Sequence, residues 1–257
     1  MTDMTLKPNH NIIAIASGKG GVGKTWFAIT LASLFARSGR RTVLFDGDIG
    51  LANVDVQLGL TPQKDLSGVF AGKYSVRDAV TPYPAGNFDI IAGRSGSGNL
   101  TDLTNEQLQQ LRVDLVDLAQ SYDYMILDLG AGIEKHVRFL ASIAARAVIV
   151  VTDEPTSLTD GYAFIKLCNN MPHVPQIQIA VNQAATQKDG QKTYDSLNRA
   201  CTTFLKVSPP CLGIIRRDNK VRDAIRAQQS MLLVAPHSTA ATDMATISIK
   251  LMQQPNS

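Results

Sequence analysis

A glycine-rich stretch near the start of the chain, GKGGVGKT, has the composition and spacing of a phosphate-binding loop. It fits the pattern G-x-x-x-x-G-K-[ST], in which glycines let backbone N–H groups converge on phosphate oxygens. Lys24 is expected to reach the β- and γ-phosphates of a nucleotide, and the Thr25 hydroxyl to ligate Mg²⁺. An apolar run precedes the stretch and a segment of helical period follows it, which is the context that the motif requires. The predicted nucleotide-binding residues here are Gly18, Lys19, Gly20, Gly21, Val22, Gly23, Lys24, Thr25 and Trp26.

Three aspartates end other apolar runs and could organise Mg²⁺ or an attacking water. Asp46 and Asp48 straddle a glycine, so their side chains can face the same side. Asp128 is followed by Gly130 and Gly132, which could let a backbone N–H approach the γ-phosphate and let the segment move. Phosphoryl transfer depends on positioning and charge neutralisation, which suits carboxylates at such places, although strand-end aspartates are also common as turn and cap residues. The predicted magnesium set is Thr25, Asp46, Asp48 and Asp128.

The elements that must position these residues are short apolar runs alternating with longer segments of helical period. The predicted strands are Ile12–Ala16, Thr42–Asp46, Phe88–Ala92, Tyr124–Asp128, Ala147–Thr152, Ile177–Asn182 and Cys211–Ile215. The predicted helices are Lys24–Arg37, Thr104–Gln120, Glu134–Ala145, Thr156–Asn169, Lys188–Phe204, Lys220–Gln228 and Ser238–Met252. This order predicts an α/β fold with a doubly wound, mostly parallel sheet flanked by helices, in which ligands bind beyond the carboxyl ends of the strands.

Composition limits the class of protein. The chain has 257 residues, 44% of them hydrophobic, which is consistent with one sizeable core. Its net charge of +3 is small and does not require an anionic partner. We predict a single domain over residues 11–253 after a disordered tail over residues 1–10. The tail has no signal-peptide core and no apolar run is long enough to span a membrane, so a cytoplasmic location is expected. Three scattered cysteines argue against a disulfide framework or a metal–sulfur site.

The motifs, taken in order, resemble a known family. GKGGVGKT, with a second lysine near its start, is similar to the deviant phosphate loop of the MinD/ParA family of dimerising ATPases. DGDIGLANVDVQLGL, DLGAGIE and TDEPTSLTDGYAFIK look most like the flagellar-number regulator branch, FlhG/FleN, as do DLSGVFAGKYSVRDAV and FDIIAGRSGSGNL. The resemblance covers residues 11–231 and implies a SIMIBI-like P-loop fold, ATP and Mg²⁺ as cofactors, and a homodimer in the ATP-bound state.

The resemblance also implies roles for individual residues. Lys19 would cross the dimer interface to the partner subunit's nucleotide, while Lys24 acts within its own subunit. A triphosphate gains from a second desolvated cation, so a lysine supplied in trans makes dimerisation depend on ATP. Asp48 would hold the attacking water, and Asp46 and Asp128 would organise Mg²⁺. The residues expected to carry the chemistry are therefore Lys19, Lys24 and Asp48.

The family resemblance is weaker at the adenine pocket. Asn182 matches the family's asparagine that reads adenine, although a strand-end turn residue is an equally good interpretation from local sequence. The family usually places a proline after the last strand, where this chain has Ile215-Arg216-Arg217-Asp218. Contacts to the base from this loop therefore stay open, with Arg216 and Asp218 as the candidates.

Possible partners are indicated by charge. The stretch RRDNKVRDAIR could bind DNA phosphates, although Asp218 and Asp223 interrupt it and charged helix faces are commonly just solvated. The candidate DNA contacts are Arg216, Arg217, Lys220, Arg222 and Arg226. The end of the chain, TDMATISIKLMQQPNS, lacks the apolar and cationic faces of a membrane-binding helix, so autonomous membrane attachment is not expected. The start, MTDMTLKPNHN, lacks the segment with which flagellar regulators stimulate a partner GTPase.

Two functions stay open from the sequence. The first is a weak, Mg²⁺-dependent, partner-stimulated ATP hydrolase that acts as a dimerisation switch and regulates the number or placement of flagella. Its partner would be a flagellar GTPase or a transcription activator, and a chromosome, plasmid, chemoreceptor or pilus is an alternative cargo. The second is a regulatory module whose ATP-bound dimer sequesters a transcription activator with little need for hydrolysis. Both need Lys24, but only the first needs Asp48.

Overall fold

The computed structural model describes residues 9–48, 52–93 and 103–254 of the chain. Within these ranges the strands are β1 Asn9–Ser17, β2 Thr42–Gly47, β3 Val80–Tyr83, β4 Phe88–Ile91, β5 Tyr124–Ala131, β6 Ala144–Val151, β7 Gln176–Ala184 and β8 Cys211–Arg216. They form one eight-stranded sheet in the order β3-β4-β2-β5-β1-β6-β7-β8. Every neighbouring pair is parallel except β3 and β4, so the predicted doubly wound, mostly parallel sheet is confirmed.

Helices connect the strands. They are α1 Lys24–Arg37, α2 Val54–Leu58, α3 Leu66–Phe70, α4 Asn105–Ala119, α5 Lys135–Ala141, α6 Pro155–Asn169, α7 Gln187–Ala200, α8 Asn219–Arg226, α9 Met231–Val234 and α10 Thr239–Gln253. A 3₁₀ turn over Arg77–Ala79 precedes β3, and a π-helical turn over Cys201–Leu205 follows α7. None of the helices in the described part of the chain combines the length and apolar content needed to cross a bilayer.

The sheet is buried on both faces. Along β1, Ile12 and Ala14 enter the core on one side of the sheet, whereas Ile13 and Ile15 enter the core on the other side. Successive side chains of a strand point to opposite faces, so continuously apolar strands are what a sheet between two helical layers requires. The carboxyl ends of β1, β2 and β5 are thereby held side by side at one edge.

Three features differ from the sequence-based prediction. The helix predicted over Glu134–Ala145 is wrong in its second half, because α5 ends at Ala141 and β6 begins at Ala144, where it pairs with β1. The helix predicted to Phe204 ends as α-helix at Ala200 and continues as the π-turn. The antiparallel strand β3 and three short helices were not predicted.

The start of the chain bears on the predicted division into tail and domain. β1 begins at Asn9, so the last two residues of the predicted tail belong to the sheet. Residues 1–8, 49–51 and 94–102 lie outside the described residues, and residues 49–51 and 94–100 among them belong to the motifs that carry the family resemblance. The prediction of one domain over residues 11–253 stays a prediction.

Candidate functional site

The phosphate loop connects β1 to α1 with the geometry that its glycines predict. Gly21 and Gly23 have φ angles of 80° and 91°, in the left-handed region that favours glycine. A Cβ atom on Gly23 would lie 2.4 Å from Nδ2 of Asn182, so the loop also needs glycine for close packing. Because α1 begins at Lys24, the amides of its first turn have no partners within the helix and favour an anion.

Lys24, Thr25 and Asp128 meet at the end of the loop. The Lys24 Nζ lies 3.5 Å from Oδ1 of Asp128, and both side chains are buried. Burial raises the pKa of Asp128. The positive charge of Lys24 and a hydrogen bond from Thr25 lower it, but by less than burial raises it. The second oxygen, Oδ2, is buried and accepts no hydrogen bond within the described parts of the chain. Such an orphaned carboxylate oxygen fits a water of a hydrated Mg²⁺.

Asp46 faces Asp128 directly across the β2–β5 pairing and is completely buried. It accepts backbone hydrogen bonds from Asp48 at 3.2 Å and from Asn53 and Val54 at 3.0 Å each. Burial, with a smaller contribution from the charge of Asp128, raises the pKa of Asp46 to about 7. The structure therefore gives Asp46 an organising role for the segment after β2, and its role toward Mg²⁺ stays a prediction.

The described side chains do not form a metal site in which the protein alone supplies all the ligands. In the ranges that the structure describes, no three His, Cys, Asp or Glu side chains converge as a metal site. Mg²⁺ usually keeps several waters and takes one or two protein ligands plus substrate phosphates. Thr25 and Asp128 fit that mode, in which the bound nucleotide completes the coordination.

The segment after β5 is held in a specific arrangement. A Cβ atom on Gly130 would lie 3.3 Å from Oδ1 of Asp48, so these two residues are adjacent, and the water-holding role of Asp48 stays a prediction. Gly132 has a φ of 97°, and its N–H donates to the Ser17 carbonyl at 3.1 Å. The Glu134 carboxylate lies against Gly132, where a Cβ atom would approach it to 2.7 Å. The Gly132 N–H can reach a γ-phosphate only after its bond to Ser17 opens.

The second loop lysine has a partner that the sequence did not indicate. Lys19 forms an ion pair with Glu154 and donates to Oγ1 of Thr156 at 3.0 Å. Both partners lie at the start of α6, and Glu154 is 135 residues further along the chain than Lys19. The only signal for them was the segment TDEPTSLTD, which was used for the family resemblance and not for a contact.

A cavity of about 540 Å³ adjoins the phosphate loop and is lined by Gly21, Trp26, Asn182 and the β8–α8 segment. Its position suits the nucleoside end of a nucleotide. Asn182 is buried, donates from Nδ2 to the Val22 carbonyl at 2.8 Å and accepts from the Gln183 N–H at 2.9 Å. Asn182 therefore braces the loop, and contact of its amide with a base stays a prediction.

The two other predicted base contacts also brace the fold. The Arg216 backbone N–H, Nε and Nη2 all donate to the Asp243 carboxylate, at 2.9, 3.0 and 2.8 Å. Asp218 caps α8 by accepting from the Lys220 N–H, and its other oxygen accepts from the Ala240 N–H of α10. Asp243 was not identified from the sequence. It could have been found as an acidic residue on a face of α10 that otherwise consists mainly of apolar and small side chains.

The predicted DNA-contacting residues separate into two groups. Lys220 pairs with Asp223 at 3.8 Å, and Arg216 is engaged by Asp243 as described. The others line the cavity and have no acidic partner among the described residues: Arg217, Arg222 and Arg226. DNA contact through these three arginines stays a prediction.

Comparisons with known proteins agree with this arrangement. Residues 13–231 match the family described as the CobQ/CobB/MinD/ParA nucleotide binding domain. The chain is 35% identical to the antiactivator FleN of Pseudomonas aeruginosa over 95% of this chain and 87% of FleN. It is 31% identical to the flagellum site-determining protein YlxH of Helicobacter pylori over 90% of this chain and 78% of YlxH. The crystal structure of the cell division ATPase MinD from Pyrococcus furiosus has the same fold, with a TM-score of 0.82 at 22% identity over 95% of this chain and 99% of that one.

Proposed function

Because this chain belongs to the MinD/ParA family of nucleotide-binding proteins, we propose that it is a cytoplasmic ATPase switch that dimerises with ATP and regulates the number or placement of flagella. The observation that carries this proposal is the buried Lys24–Asp128 pair beside Thr25 at the end of the phosphate loop. The names of FleN and YlxH support the flagellar part of the proposal.

The chemistry follows from the residues at the strand ends. The loop amides and Lys24 would bind the phosphates, and Thr25 and Asp128 would hold Mg²⁺, which when bound neutralises charge on the transferring phosphoryl group. Asp48, next to Gly130, orients the attacking water. Hydrolysis is proposed to be weak without a partner, because Gly132 is held on Ser17 until the segment moves.

Dimerisation is proposed to depend on Lys19. In the single chain this lysine is neutralised by Glu154, so it can serve the partner subunit's nucleotide only after leaving that carboxylate. The exchange is feasible because the side chains of Lys19 and Glu154 are 36% and 59% exposed, and an exposed ion pair has little net stability.

The second candidate function is a regulatory module that sequesters a transcription activator while ATP is bound. The name "antiactivator" of FleN is what favours it. This function needs the ATP-bound dimer but not turnover. The two candidates therefore differ in whether Asp48 is needed for output.

Light scattering and phosphate release, each measured with and without ATP, test the proposal. Lys19→Ala should bind ATP and stay monomeric, whereas Asp48→Ala should dimerise with ATP and lose turnover. Lys73→Ala, at an exposed lysine in another glycine-containing turn, is the matched control and should behave as the natural chain does. An ATP-dependent dimer of Lys19→Ala, or full phosphate release by Asp48→Ala, contradicts the roles proposed for these residues. Flagella counted in cells carrying Asp48→Ala then separate the two candidate functions.

A further inference from the structure

Another cavity, of about 490 Å³, lies at the end of the sheet opposite the phosphate loop. It is enclosed by the turn between α1 and β2, the β3–β4 hairpin and the segment between α4 and β5. Thr42, the first residue of β2, lines this cavity, whereas Gly47 ends the same strand on the phosphate-loop side. The two ends of β2 lie on the order of 15 Å apart. A cavity of this size is typical of a site for a small molecule, and it is separate from the candidate site described above.

One part of the cavity presents a hydrogen-bond acceptor. Asp89 accepts from the Tyr122 hydroxyl at 2.7 Å, and both side chains are half-buried. Burial and this hydrogen bond raise the pKa of Tyr122, so its hydroxyl keeps its proton and stays the donor. Asp89 forms no ion pair within the described parts of the chain. A carboxylate has about four acceptor positions and Tyr122 occupies one, so Asp89 can accept further N–H groups from a ligand.

Another part of the cavity presents a cation. Arg40 is exposed and has no acidic partner among the residues that the structure describes. Arg41 is instead held by Asp123, which accepts from its backbone N–H at 2.7 Å and lies 3.6 Å from its guanidinium. The Asp117 carboxylate nearby is paired with Arg77 at 3.1 Å. The neighbouring carboxylates are therefore engaged, and Arg40 is available to an anion from solution.

Rings line the cavity between these polar groups. Tyr83 and Phe88 are buried, with their ring centroids 5.2 Å apart, and the rings of Pro82 and Pro84 are exposed. Such apolar surfaces suit the flat body of an aromatic ligand, on which bases stack without regard to their sequence. The cavity therefore combines an acceptor, a cation and an apolar lining.

We propose that this cavity binds a guanine nucleotide. Guanine presents two adjacent donors, N1–H and N2–H, which match one carboxylate, whereas adenine presents an acceptor beside its amino group. Asp89 receives the base and Arg40 receives the phosphate. Arg40 lies three residues before Val43, the register partner of Asp89, so a ligand that meets both must be extended, as a mononucleotide is. The inference does not rest on the proposed function, because no residue of the phosphate loop lines this cavity.

Equilibrium dialysis of labelled GMP and AMP against the full chain tests the proposal, with excess ADP present to occupy the phosphate loop. GMP should bind at least about tenfold more tightly than AMP, because the carboxylate that meets two donors of guanine meets only one of adenine. Arg40→Gln should weaken GMP binding by about five- to tenfold and change the affinity for guanosine, which lacks the phosphate, by less than about twofold. Arg199→Gln is the matched control, at an exposed arginine of α7 outside the cavity, and should leave both affinities unchanged.

Asp89→Asn tests the other end of the ligand. An amide offers one acceptor and one donor, so this variant should lose the preference for GMP over AMP. If thermal unfolding shows that Asp89→Asn does not fold, the comparison of GMP with guanosine on Arg40→Gln still decides, because Arg40 is exposed.

Three results would overturn the proposal. The natural chain could fail to bind GMP or bind GMP and AMP equally. Arg40→Gln could weaken GMP and guanosine to the same extent, which would mean that it does not contact the phosphate. GMP binding could be lost in Lys24→Ala and kept in Arg40→Gln, which would place GMP in the phosphate loop. ATP binding and ATP-dependent dimerisation are measured separately on Arg40→Gln, so a failure of the proposed switch is distinguished from a failure of this site.

Discussion

The proposed triphosphate side of the candidate site, formed by Lys24, Thr25, Asp46 and Asp128, differs from the proposed nucleoside side in how its polar groups are satisfied. On the triphosphate side, Asp128 keeps an oxygen without a partner, and the pKa of Asp46 is raised to about 7 by burial. On the nucleoside side, Arg216, Asp218 and Asp243 satisfy one another or the helix ends. Buried groups are usually satisfied, and perturbed ones cluster at functional sites. The difference supports the proposal that the triphosphate side receives the ligand, whereas Arg216, Asp218 and Asp243 maintain the shape of the cavity.

The largest effect is expected on the triphosphate side, from Lys24→Ala. This change removes the buried cation of the phosphate loop, and hydrogen bonds to charged groups are worth about 1.5–3 kcal/mol, so ATP affinity should fall by about 10- to 100-fold. Titration with ATP can be followed through Trp26, the single tryptophan, which lines the adjoining cavity. Lys192→Ala, at an exposed lysine paired with Asp189, should leave the affinity unchanged. An unaltered affinity of Lys24→Ala would remove the distinction between the two sides.

A smaller effect, and on a different quantity, is expected from Asp243→Ala on the nucleoside side. The change removes the acceptor of three bonds from Arg216, so the urea midpoint of unfolding should fall by more than it does in an Asp223→Ala control. The ATP affinity should change less than in Lys24→Ala. A large loss of affinity at an unchanged urea midpoint would show that this side also contacts the ligand.

The pH dependence of stability probes Asp46 on the triphosphate side. Its folded pKa of about 7 lies above the ordinary value of 3.8, so between these values the folded state binds more protons than the unfolded state. The free energy of unfolding from this group should therefore decrease as the pH rises from about 4 to about 7, and level off above that. Urea unfolding of the nucleotide-free chain at pH 5.5 and pH 8, compared with Asp46→Asn, isolates the contribution from that of His136, whose pKa is lowered by burial. The same pH dependence in both proteins would mean that Asp46 titrates normally.

The smallest effect on stability is expected from Glu154→Gln. The pair with Lys19 is exposed, so the free energy of unfolding should change by less than about 1 kcal/mol. Thermal or urea unfolding measures this directly. A larger loss in the free energy of unfolding would show that the Lys19–Glu154 contact stabilises the fold, as the Arg216–Asp243 contact does. Releasing Lys19 to form a dimer would then be costly.

Local sequence was enough to predict that the residues of the proposed triphosphate side lie close together. The loop, Lys24 and Thr25 are consecutive, and the strand and helix on either side fix their geometry. Asp46 and Asp128 could be expected together because the carboxyl ends of parallel strands meet at one edge, and the β2–β5 register pairs them. The hydrophobic pattern also predicted most strands and helices, because burial on both faces leaves a continuous apolar run.

The tertiary structure alone decided which residues hold those predicted groups in place. The contacts of Lys19 with Glu154, of Arg216 with Asp243 and of Gly132 with Ser17 join residues that are far apart in the chain. Likewise, Ala144 and Ala145 belong to β6, which pairs with β1, although the sequence pattern predicted them as the end of a helix. Periodicity and motif spacing act over a few residues, whereas these contacts depend on how whole elements pack.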